Sequence, residues 1–72
     1  MATRWHPEDG EVASPAEIQV MASVLEGRHG VWAGEIADFL ADAHRQANDA
    51  VRGRAWATVA QTVRIRERQR VI

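Results

Sequence analysis

Apolar residues recur along this chain at intervals of three and four from Ile18 to Val63, and then the pattern stops. That is the period of amphipathic helices, and it makes the expected fold class all-α. Ser14-Pro15-Ala16-Glu17 supplies an N-cap, a proline at the first helical position and a glutamate placed for a capping box, so the first helix begins here. Its core face reads as Ile18, Met21, Ala22 and Leu25. Val20 and Val24 fall well off that stripe, which means either that the helix is wedged between its neighbours or that it contributes to a subunit contact.

Gly27-Arg28-His29-Gly30 reads as the end of this helix, since glycine readily takes the left-handed conformation that closes a C-terminus. A second helix is expected from about Val31 to Ala47. Trp32, Ile36, Phe39, Leu40, Ala43 and Ala47 form its apolar stripe; Glu35, Asp38, Asp42, Arg45 and Asp49 lie opposite. Ala37 and Ala41 occupy the shoulder between, where small side chains let another helix come close. Asn48 or Asp49 can cap a third helix after a very short connection, although one continuous helix through this point is the alternative. In the third helix Trp56, Val59, Ala60 and Val63 share a face, and Gly53 either permits close packing or marks a frayed first turn. The expectation is a three-helix up-down-up bundle over residues 14 to 63, preceded by a loose arm (1 to 13) and followed by a projecting basic tail (64 to 72).

With 72 residues, a chain of this size hides only about 60% of the surface it exposes when unfolded. One Phe, three Trp and no Tyr leave the core to small aliphatic side chains, with Trp32 and Trp56 expected as its anchors. The absence of Cys excludes disulfides, thiolate metal sites and cysteine nucleophiles. No apolar run resembles a signal segment or a membrane span, which points to a cytoplasmic protein without a membrane partner.

The net charge of −1 conceals a separation. Residues 1 to 50 hold three arginines against nine acids, and residues 51 to 72 hold six arginines against Glu67 alone. The basic positions of that second part are Arg52, Arg54, Arg64, Arg66, Arg68 and Arg70. They suit phosphate neutralisation by a nucleic-acid-binding protein, docking on an acidic protein surface, or simply a solvated helix end that complements its own dipole. Against nucleic acid stands the acidic remainder of the chain. The acidic stripe could in turn receive the Arg tail of a second copy.

Catalysis finds no constellation. His6, His29 and His44 lack the spacing of helical metal pairs, Ser14 is engaged in capping, and no phosphate-binding glycine loop occurs. The reading is therefore a non-enzymatic interaction or regulatory module without cofactor or metal, which self-associates as a homo-oligomer or docks on a protein partner. Its candidate contact residues are Trp5, Val20, Val24, Arg64, Arg66, Arg68 and Arg70. Nucleic-acid binding is the first alternative, and a phage or mobile-element inhibitor of a host complex is the second.

Glu26-Gly27-Arg28-His29-Gly30, Ile36-Ala37, Asp49-Ala50 and Trp56-Ala57-Thr58-Val59-Ala60 together resemble a group of small uncharacterised alphaproteobacterial helical proteins. There a Glu-x-x-His-Gly helix end is followed by an Ile-Ala helix, an acidic turn and a Trp-x-x-Val-Ala helix. The likeness covers residues 17 to 63. The aromatic residue early in the first helix and the Gly before the acidic turn are missing here. The resemblance implies a bacterial source and a helical fold, and it carries no activity.

Overall fold

A computed structural model describes residues 13–70, and all of its regular structure is helical. Helix α1 spans Pro15–His29, a 3₁₀ turn covers Gly30–Trp32, α2 spans Ala33–Gln46 and α3 spans Ala50–Arg70. The expected capping box opens α1. The Glu17 N–H donates to Ser14 Oγ at 3.2 Å, and the Ser14 N–H donates to Glu17 Oε1 at 2.8 Å.

The Gly27–Gly30 segment does not separate two helices as the sequence suggests. Gly30 adopts φ 57° and ψ −125°, its N–H still bonds to the Glu26 carbonyl, and the Ala33 N–H bonds to the Gly30 carbonyl. That backbone geometry is one glycine reaches without Cβ strain. The chain therefore changes direction without leaving helical hydrogen bonding, and helical conformation is unbroken over residues 15–46. The described chain comprises two uninterrupted helical runs, 15–46 and 50–70, the first turned back on itself at the 3₁₀ segment so that α1 and α2 pack together.

Between α2 and α3 the break is sharp. Asn48 takes the left-handed conformation at φ 65°. Its N–H bonds to the Arg45 carbonyl at 3.0 Å, and the Asp49 N–H bonds to the His44 carbonyl at 2.8 Å. This paired arrangement is a Schellman closure with asparagine where glycine is usual. Asp49 then caps α3, its Oδ1 accepting from the Arg52 N–H at 3.1 Å.

The face that α2 presents to the core differs from the one its apolar period indicates. Ala33, Gly34, Ala37 and Ala41 are its buried residues, Ile36 and Leu40 lie at the margin, and Trp32 and Phe39 are 60% and 69% exposed. Trp32 is thus not a core anchor; Trp56 is half-buried and packs against the core as expected. The cause is the close approach of α3. A Cβ placed on Gly53 would sit 2.9 Å from Arg45 Cγ and 3.3 Å from the Ala41 carbonyl oxygen, so this seam accepts only small residues. Dense contact along the whole helix pair outweighs burial of two rings, because it gathers many small dispersion terms.

The resulting core is thin. Seven of its eleven buried apolar residues are alanines; the others are Ile18, Leu25, Val59 and Val63. On α1 the buried residues are Ile18, Ala22 and Leu25, whereas Val20 and Val24 face solvent at 61% and 48% exposure. Helix α1 is therefore covered on one side only. Val63 is the last buried residue of α3, but the helix continues to Arg70 through the stretch expected to project as a tail.

Candidate interaction surface

Residues 64–70 form the last two turns of α3, and three of their four arginines reach carboxylates of the same chain. Arg64 Nη2 donates to Asp38 Oδ2 on α2 at 2.7 Å. Arg66 Nη1 donates to Glu26 Oε1 on α1 at 2.8 Å and to Ser23 Oγ at 3.3 Å. Its Nη2 bonds to the Gln19 side chain and, at 3.5 Å, to the Gln19 carbonyl. Arg70 completes a shared site by donating to Glu26 Oε2 at 3.2 Å. These arginines therefore clasp α3 to α1 and α2, because the helix extends far enough to bring its basic end over acids of the first half of the chain.

The Arg64 guanidinium holds its proton more firmly than an ordinary arginine, first through the Asp38 hydrogen bond, which outweighs the opposing effect of desolvation, and further through the nearby charges of Asp38, Glu67 and Glu35. A raised arginine pKa means that this guanidinium's contribution is fully present through the neutral range and is lost as strongly alkaline pH passes that value. Its stabilisation remains small, since both side chains are well exposed.

The remaining charged candidates are also placed. Arg52 bonds to Asp49 Oδ2 at 3.3 Å, and His44 Nδ1 lies 3.8 Å from the same oxygen. Arg45 pairs with Asp42 one turn away. Arg54 and Arg68 are exposed on α3. The acidic stripe of α2 is thus largely answered by arginines of its own chain, and among the described residues no group of three or more His, Asp or Glu could hold a metal ion. Nor is any helix there long and apolar enough to cross a membrane. Trp5 lies outside the described residues.

What the charges leave open is an apolar surface. Trp32, Glu35, Ile36 and Phe39 line a shallow depression of about 300 Å³ along the outer side of α2. Around the start of α1, an open cleft of about 570 Å³ is bordered by Ala13, Val20, Met21, His44, Arg52 and Trp56. Val20 and Val24, singled out in the sequence for sitting off the α1 stripe, are on exposed surface. Trp32 and Phe39 were missed, because their helical period is that of a buried stripe. The signal that could have found them was the competing Ala33-Ala37-Ala41 row beside Gly53.

No family model matches this chain, and neither the curated proteins nor the solved structures contain a significant match.

Proposed function

We propose that this chain, folded as an up-down-up arrangement of three helical segments, is a non-enzymatic protein-interaction module whose contact surface is the outer apolar side of α1 and α2. The observation that carries the reading is the inversion of α2. Phe39 and, in the turn leading into the helix, Trp32 are turned to solvent while alanines are turned inward. Isolated exposed apolar residues are ordinary, but two aromatic rings seven residues apart that line one depression with Ile36 make the kind of patch that marks contact sites. The arginines named above contribute by holding α1 and α3 in place. Their engagement with Asp38, Glu26 and Asp49 favours this reading over phosphate binding.

The test is the combined substitution Trp32→Gln and Phe39→Gln, with unfolding followed in urea at low protein concentration. Rings that lie mostly in water can be replaced with a change of about 0.5 kcal/mol or less, the usual range for surface positions. Binding of a hydrophobic dye to the native chain is expected to fall in the same variant. A loss of about 3–5 kcal/mol per ring, the cost of truncating a core aromatic, would show that they belong to the core and would remove the proposal.

A further inference from the structure

Ala13 precedes the N-cap of α1, yet it is buried in the core cluster. Residues 1–12 therefore join the described part of the molecule between two clefts, both of which Ala13 borders. One of them is lined largely by polar side chains, Gln19, Arg54, Thr58, Gln61 and Thr62 among them. The other is the open cleft of about 570 Å³ lined by Val20 and Met21 of α1 and Trp56 of α3, together with His44 and Arg52. Val20 is 61% exposed there, so an apolar cover over this cleft would lower the free energy of the chain.

We infer that the occupant of this apolar cleft is the chain's own N-terminal arm, with the Trp5 indole seated against Val20, Met21 and Trp56. Length permits it. Eight peptide steps separate Trp5 from Ala13 and can span about 26 Å when extended, whereas Val20 stands seven residues after Ala13, about 10 Å along α1. Pro7 and Gly10 suit the reversal that takes up the difference. Trp5 is the largest apolar side chain of residues 1–12, and an indole can bury about 150–250 Å². Charge supports the same occupant. Glu8, Asp9 and Glu11 lie between Trp5 and Ala13, and Arg52 stands at the cleft they have to cross. Asp49 takes one side of that guanidinium, which has donors for a second carboxylate. Glu17, also at the cleft, is turned to Ser14 by the capping box. A tether this short also holds Trp5 at an effective concentration of about a millimolar, which favours the arm over a second copy in dilute solution. The inference is independent of the reading of α2, since neither Trp32 nor Phe39 borders this cleft. On α1 it makes Val20 a residue that a partner reaches only by displacing the arm.

The experiment is NMR of the full chain at about 20 µM and about 500 µM, beside urea unfolding of Trp5→Ala, Val20→Glu and their combination. The Trp5 indole signals are identified by their disappearance in Trp5→Phe. The expected result is a set of nuclear Overhauser contacts from that indole to the methyl groups of Val20 and Met21, the same at both concentrations. Trp5→Ala should lower the folding equilibrium constant by about tenfold, and should change it little once Val20→Glu is present. Should Val20→Glu fail to fold, the Overhauser contacts of the unmodified chain still decide. Contacts to the Thr58 and Thr62 methyls instead would put the arm in the polar cleft and overturn the inference. Contacts that appear only at the higher concentration would seat the arm on a second copy and overturn it too. An indole without such contacts, together with unchanged stability in Trp5→Ala, would leave the cleft to a separate partner and remove the arm as its occupant.

Discussion

Arg66 makes more cross-helix contacts than any other side chain described above, and it does so with less than a third of its surface in water. Its guanidinium is shared by the Glu26 carboxylate, the Gln19 side chain and carbonyl, and the Ser23 hydroxyl. Such a fork pre-organises several bonds for one side chain's ordering, which a lysine ammonium would not reproduce. Arg66→Met is expected to lower stability by about 1–2 kcal/mol in urea unfolding, because it leaves Glu26 half-served by Arg70. Arg68→Met, two residues on and exposed, should change it by about 0.5 kcal/mol or less. Equal effects would show that the basic helix end acts only as a general field. At the opposite pole of the chain, Ser14→Ala should cost about 0.5–2 kcal/mol, since it removes the Oγ that accepts from the Glu17 N–H.

Among the elements, α2 separates what its sequence discloses from what only packing decides. On α1, Ile18, Ala22 and Leu25 are the buried residues that the helical period indicates, and on α3 Val59, Ala60 and Val63 are likewise. On both helices the face that the period picks out is the one in the core, with Val20 and Val24 left outside it on α1. Helix α2 has two apolar faces: a stripe of large groups through Trp32 and Phe39, and a row of small ones through Ala33, Ala37 and Ala41. Hydrophobicity alone ranks the first higher. The choice falls on the second because α3 approaches along Gly53, a condition set by the partner helix and invisible in α2 itself. The placement of α2 predicts opposite responses to one substitution. Ala37→Leu, at a fully buried position, should destabilise by about 1–3 kcal/mol through overpacking, whereas Ala43→Leu on the exposed face should be nearly neutral. Gly53→Ala should destabilise as well. The roughly 1 kcal/mol of helix propensity it gains is opposed by contacts with Arg45 Cγ and the Ala41 carbonyl that are too short to be absorbed by a side-chain tip. The basic end of α3 was equally hard to read, for the acids it meets lie 26 to 44 residues away in sequence.

For the molecule as a whole, the two kinds of contact differ in how far they reach along the chain. Helices α2 and α3 are joined by three residues, 47–49, and share the most extensive helix–helix contact, whereas α1 is tied to the end of α3 by bonds across 40 to 47 residues. Closing a long loop costs more entropy than closing a short one, so the hairpin can form before the Arg66 bonds do. Interactions absent from the transition state act on the unfolding rate and leave the refolding rate alone. In stopped-flow measurements Arg66→Met is therefore expected to speed unfolding by about tenfold with refolding nearly unchanged, while Ala37→Leu slows refolding. The clasp at the end of α3 would then govern the lifetime of each folded molecule, and the alanine seam the time needed to make one.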